Sequence, residues 1–333
     1  MGLLHISLCT CVCVCVPRDV MAGSATAVGI VGYGHLGSYF SKSSLPLDYE
    51  GSSAEPFPGR DSATSTSAAV PPAGQYLVGR ILAEGHEAGL RLAFVWNRSP
   101  ERLRGSVPEE LILEQLSDFP ERSADVIVEV CHPQVVKDFG EMFLAHSHFL
   151  VGSPSALSDP QLNGQLRRAA VHHGRTLYVP SGALWGGQDI QRLSESGLLT
   201  GLSLRMCKHP SCFRLEGALR RNWVEGEGRR LLFRGSVADL CPLAPNNVNT
   251  MAAAAIAASS LGFGGVEGEL VSDTGLSEYH VLELQITGVD GFSVTTVRRN
   301  PAQLGAVTGS ATFRSFWSSL LVCRGHGGTV YLC

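Results

Sequence analysis

Short apolar runs that end in glycine or small polar residues alternate with stretches of helical spacing along the first 200 or so positions. Ala27 to Gly34 reads AVGIVGYG, the pattern of a buried parallel strand entering a tight turn. LRLAFVWN (Leu90 to Asn97) and DVIVEVCHP (Asp125 to Pro133) are further strands, with a charged, helix-forming stretch between them. PQVVKDFGEMFLAHS has helical spacing, and FLVGSPSALSD and RTLYVPSGALWGGQDI repeat the strand-to-turn rhythm. Such alternation predicts an α/β fold, an N-terminal Rossmann domain with a doubly wound parallel sheet. From about Gly201 the character changes. LSLRMC, RLLFRGSV and VLELQITG read as strands around the Ala-rich helix MAAAAIAAS, which predicts a C-terminal α+β domain. The boundary falls near Trp185 to Leu202, so residues 21–195 form the first domain and 196–333 the second, with a return to the first domain near the C-terminus left open.

The pattern breaks once. Ser38 to Gly74 is rich in Ser, Pro, Gly and Ala and has no helical periodicity, so it is expected to be an inserted, disordered loop. Excising it joins GYGHLG to QYLVGRILAEG and places Leu36, Leu77 and Ile81 at i, i+4 and i+8, with Tyr76, Val78 and Leu82 broadening the face. The helix after the first strand reappears. Residues 1–20 are apolar but lack the basic region of a secretory signal, and MAGSATAVGIVGYG from Met21 is a natural start for the first strand, so they are expected to be a disordered extension. CVCVCV within them has soft-metal ligands, but no metal site is expected.

A chain of 333 residues with 44% apolar side chains suits two cores. Net charge is −4 and no Lys/Arg-rich run occurs, which argues against nucleic acid and for a small-molecule partner. No apolar stretch approaches the roughly 18 to 20 residues of a membrane span, so a cytoplasmic protein without membrane association is expected. Of the ten cysteines, four sit in the N-terminal run and six are scattered without a C-x-x-C pair, which reads as reduced thiols.

Candidate chemistry begins at Gly32, Gly34 and Gly37, a G-x-G-x-x-G following a strand. There, backbone N–H groups from Gly32 to Gly37, including His35 and Leu36, and a helix N-terminus can cradle a pyrophosphate. The ribose acid normally found at the end of the second strand is replaced by Asn97 and Arg98, which admits either NAD or NADP. Glu129 and His132 follow a strand at the sheet edge where ligands bind, although His132 before Pro133 equally suits a helix cap. SPSALSD and SGALWGG are small-residue turns that permit close approach of a nicotinamide or are plain turns. Asn247 and Asn249 precede the Ala-rich helix as caps or contacts, and His280 begins a strand as a structural or a catalytic histidine. Arg205, Lys208, His209 and Arg214 are candidate cations for substrate carboxylates.

The ordered series VGIVGYGHLG, VIVEVCHP, GSPSALSD, SGALWGGQDI, PNNVN and SDTGLSEYH resembles the L-aspartate dehydrogenase family, across Ala27 to Gly37 and Gln75 onward. That resemblance implies oxidative deamination of L-aspartate through iminoaspartate to oxaloacetate and ammonia, or the reverse, with NAD or NADP. It also implies that Ala156 and Asn247 contact the cofactor, that His280 is the catalytic acid/base, and that the second domain forms a homodimer. A non-catalytic dinucleotide-binding sensor and a dehydrogenase for another small dicarboxylate are the alternatives.

Overall fold

The computed structural model describes residues 24–34, 72–223 and 226–333. Residues 1–20, most of the segment expected to be inserted, and His35, Leu36 and Gly37 lie outside the described residues.

The first unit alternates strands and helices: β1 (Thr26–Val31), α1 (Ala73–Ala88), β2 (Leu90–Trp96), β3 (Ile112–Leu113), β4 (Val126–Glu129), α2 (Pro133–His146), β5 (His148–Val151), α3 (Pro160–His173) and β6 (Leu177–Val179). Their run of buried Val, Ile, Leu and Phe is what a sheet covered on both faces requires. The second unit comprises α4 (Gly187–Glu195), β7 (Leu199–Lys208), α5 (Gly217–Arg221), β8 (Arg229–Ser236), α6 (Val237–Leu240), α7 (Asn249–Ala257), α8 (Gly262–Gly265), β9 (Glu267–Asp273), β10 (Tyr279–Gly288) and β11 (Ser293–Pro301). Then α9 (Ser310–Leu321) and β12 (Val330–Leu332) follow, and β12 pairs in parallel with β6. Strand β12 therefore returns the chain to the first sheet.

The first sheet has the order β12-β6-β5-β4-β1-β2-β3 with every pair parallel, the Rossmann arrangement in which the strand order reverses between β1 and β4. The second sheet is mixed, ordered β11-β10-β7-β9-β8. Helix α7 joins the two. Met251 to Ala257 are all buried, so this helix is apolar on every side and belongs to the interior. Its N-cap is Val248 rather than an asparagine.

Several expectations need correcting. Helix α1 starts at Ala73, two residues inside the expected insert, because Ala73 and Gly74 are small enough to pack under the first glycine turn. A Cβ on Gly74 would lie 2.0 Å from the Gly32 carbonyl oxygen. Leu77, Val78 and Ile81 are buried as expected, but Leu82 is 49% exposed, one position past the stripe. Strand β11 escaped notice because its alternation, SVTTVRRNP, carries mostly polar side chains. Among the described residues no helix is long and apolar enough to cross a membrane.

Candidate active site

At the carboxyl ends of β1, β2 and β4 the chain makes a tight, mutually braced corner. Gly32 has φ +114°, a conformation natural to glycine, and its N–H donates to the Trp96 carbonyl at 2.8 Å. The following Tyr33 N–H donates to Asn97 Oδ1 at 3.2 Å, while Asn97 Nδ2 donates to the Ser99 carbonyl at 3.0 Å. Asn97 thus braces the glycine turn from the end of the second strand. Arg98 is exposed, and its charge helps hold the His132 imidazole below the usual histidine range, behind the larger effect of burial.

Glu129 is fully buried, and its carboxylate accepts from the N–H groups of Cys131 (2.7 Å), His132 (2.8 Å) and Ser153 (2.9 Å) and from Ser153 Oγ (3.0 Å). Burial raises its pKa, and those same donors oppose the rise. It ties the β4 turn to the β5 turn. Glu129→Ala should lower stability by about 2–4 kcal/mol, because four donors lose a buried acceptor. Denaturant unfolding measures this, and an unchanged midpoint would refute the brace. His132 caps α2, Nδ1 accepting from Gln134 N–H at 3.0 Å, with Nε2 3.9 Å from Glu216 Oε1.

This corner fits a dinucleotide. A side chain on Gly32 would meet Cys131 Cβ at 2.7 Å, and one on Gly152 would meet the Glu129 carbonyl oxygen at 2.2 Å. Glycine is therefore required at both turns, which lets the carboxyl ends of β1, β4 and β5 pack backbone against backbone in the tight corner that a dinucleotide site needs. The close helix-to-strand packing that a fingerprint's third glycine provides falls here to Gly74.

Beside this edge a cleft opens between the two sheets. Gly152 and Pro154 line it after β5, and Pro180 to Ala183 after β6. Asn246 comes from the turn before α7, Asn249 and Thr250 from its first turn, and the strap Val307 to Gly309 closes one side. The mixed sheet supplies the opposite wall. Its inward positions alternate, Leu202, Leu204, Met206 and Lys208 on β7 facing the same way as His280, Leu282, Leu284 and Ile286 on β10. His280 pairs with Asn300 across the β10/β11 ladder, and Lys208 follows Cys207, the partner of Val281. One cross-strand row, Lys208, His280 and Asn300, is therefore polar on all three strands, whereas β7 and β10 are apolar in the rows behind it, and all three residues line the cleft.

His280 is 6% exposed, and its Nε2 has no hydrogen-bond partner. The bond to the Ala306 backbone must then use Nδ1, which fixes the neutral tautomer with a bare Nε2 lone pair. Burial and the neighbouring Lys208 charge push its pKa down to about 3. Lys208 is 4% exposed, donates from Nζ to the Val307 carbonyl at 2.9 Å, and is held down to about 8 by burial. Asn246 Oδ1 is likewise buried without a partner.

The remaining site residues named from the sequence lie elsewhere. Asn247 is 2% exposed, with Oδ1 accepting from Arg214 N–H at 2.7 Å and Nδ2 donating to the Cys212 carbonyl at 3.0 Å, so it anchors the loop after β7. Ala156 is buried in a 3-10 turn (Pro154–Ser158) whose Ser155 Oγ bonds the Pro245 carbonyl. Asn246 and Asn300 went unnamed. The trace of Asn300 is a polar side chain at an inward strand position, visible once its pairing with His280 is known, while Asn246 lies in the turn before α7 and leaves no pattern at all.

Comparison with known proteins agrees with this architecture. The family model described as aspartate dehydrogenase, C-terminal, matches residues 189–319, and that of the homoserine dehydrogenase NAD binding domain matches 73–180, beginning where α1 begins. The chain is 28% identical over 226 residues to the L-aspartate dehydrogenase of Archaeoglobus fulgidus, covering 67% of this chain and 84% of that one. The solved aspartate dehydrogenase of Thermotoga maritima shares the fold at a TM-score of 0.59 and 15% identity, covering 90% of this chain and 97% of that one. To the aspartate dehydrogenase domain-containing protein of Danio rerio it is 62% identical over 313 residues, 94% of this chain and 100% of that one. A mixed-sheet unit set against an NAD-binding Rossmann unit, with likeness of that extent, places the chain in the aspartate dehydrogenase family of oxidoreductases.

Proposed function

We propose that the protein catalyses NAD- or NADP-linked oxidative deamination of L-aspartate through iminoaspartate to oxaloacetate and ammonia, or the reverse, as a cytoplasmic homodimer. The observation that carries this reading is the His280 imidazole, buried in the cleft beside the dinucleotide edge with its Nε2 unpartnered. The Gly32–Gly34 turn and the first turn of α1 would hold the diphosphate, and Pro180 to Ala183 would flank the nicotinamide. When bound, the dinucleotide supplies the acceptor for the hydride leaving the substrate Cα.

His280 does the proton work. Its Nε2 takes a proton from the substrate ammonium, leaving the amine lone pair that drives hydride departure, and releases that proton to solvent; the freed lone pair then takes one from the water that adds to the imine. It returns a proton to the departing nitrogen. A low intrinsic basicity suits the first step only if substrate raises it; burial is the larger cause of that low basicity, and a carboxylate beside Lys208 relieves the smaller part, which comes from the neighbouring cation.

The full chain and a form lacking 38–74, in which Gly37 takes the place of Gly74, should both give L-aspartate-dependent absorbance of the reduced nicotinamide. Silence from both, with dinucleotide binding intact by calorimetry, would leave a non-catalytic binder.

A further inference from the structure

Deepening that reading, and resting on it for the identity of the substrate, we propose that Lys208 and Asn246 recognise the ligand of the cleft. The Lys208 ammonium takes a carboxylate, and Asn246 Oδ1 accepts an N–H of the amine.

Four cations were available from the sequence near the end of β7, and the structure separates them. Arg205 is paired with Glu269 and, at 2.9 Å, with Glu283. Arg214 donates to the carbonyls of Ser211 and Phe213, and His209 caps the short turn Pro210–Cys212. Lys208 alone of these four lines the cleft. Its ammonium carries three donors, of which one meets the Val307 carbonyl, and among the described residues no carboxylate lies within 4.0 Å of it. A buried cation without a counter-charge is an expensive arrangement, which a ligand anion relieves.

Two further buried atoms are left over in the same cleft, and both are acceptors: Asn246 Oδ1 and His280 Nε2. A cation facing two unpartnered acceptors is complementary to a molecule bearing one anionic group and one N–H donor, the pairing an α-amino acid presents. His280 stands between the other two in function. It reads the same amine from which it withdraws a proton, while Asn246 holds the nitrogen and Lys208 holds the carbon skeleton by its carboxylate. The Lys208 charge adds to burial in disfavouring the protonated ring of His280, and a bound carboxylate offsets that part of the effect.

The test uses the full chain with saturating NADH or NADPH, in which no oxidation of substrate can occur, titrated calorimetrically with L-aspartate and with succinate. Wild type should bind both. Lys208→Met should weaken both by about 30-fold or more, the effect of removing one partner of a buried charge pair. Asn246→Leu should weaken L-aspartate by about fivefold and leave succinate unchanged, since succinate has no amine. Dinucleotide affinity should stay the same in both variants. Where the methionine variant does not fold, Lys208→Gln, which retains a donor for the Val307 carbonyl, serves instead. Succinate that binds wild type and the Lys208 variants equally, or fails to bind wild type, overturns the assignment to Lys208. An Asn246 variant that loses both ligands alike overturns the assignment to Asn246. Tight, Lys208-dependent binding of succinate with no aspartate turnover would sink the proposed reaction and leave the recognition pair standing.

Discussion

His280→Ala lowers kcat by about 10²-fold or more while dinucleotide affinity stays near the wild-type value, because the imidazole acts on protons and touches neither glycine turn. Steady-state rates with L-aspartate and calorimetry with the dinucleotide measure the two quantities. The same residue sets an expected pH profile. Burial and the Lys208 charge depress the folded-state pKa from 6.5 to about 3, so kcat/KM, which reports free enzyme, should show no acid limb near 6.5 and should stay level well below it. For stability the sign is fixed by the same shift: the contribution of a neutral His280 is fully present above pH 6.5 and is lost as pH falls towards 3. Wild type should therefore lose more stability than His280→Ala over that window. Unaltered turnover in the alanine variant would remove His280 from the mechanism.

Gly74→Ala should be the most damaging single methyl addition in the first unit. Its Cβ would sit 2.0 Å from the Gly32 carbonyl oxygen and 3.1 Å from Tyr33 Cα, backbone atoms that cannot rotate away. Helix α1 would have to lift from the turn, at about 1–3 kcal/mol, and the melting temperature should fall by several degrees. The dinucleotide Kd should rise at least about tenfold, since the helix N-terminus and the glycine turn no longer share one corner. Gly79→Ala, on the same helix with nothing within 4 Å of its Cβ, is the control and should gain about 0.5–1 kcal/mol. Equal behaviour of the two variants would refute the close-packing role of Gly74.

Fold class was legible because both levels of patterning agreed: apolar runs closed by glycines for the parallel sheet, alternation for the mixed one. The return of α9 and β12 to the first sheet was only half legible, since VYL is too short to announce its partner. His280 could be picked out only by its neighbours in sequence, because a histidine at a strand start looks the same whether its ring faces water or a cleft. Asn246 and Asn247 show the limit more sharply. Two identical side chains sit next to each other, one bonded to backbone at both ends and the other with an idle oxygen, and nothing local distinguishes them. Glu129 was visible as a site residue but its bonds to two separate turns depend on contacts 24 positions apart.

The return of the chain to its first sheet also sets an order of events during synthesis. Helix α9 covers α1 with Phe313, Phe316 and Trp317, the Arg80 guanidinium lying 4.5 Å from the Trp317 ring centroid, and β12 occupies the outer edge of β6. Until residues 310–332 leave the ribosome, the nascent Rossmann unit shows an unpaired strand edge and an uncovered apolar stripe, the surfaces that chaperones bind and that stray chains pair with. Folding of the Rossmann unit thus waits on α9 and β12, and translation that stalls before them releases a sticky intermediate rather than a finished nucleotide-binding half.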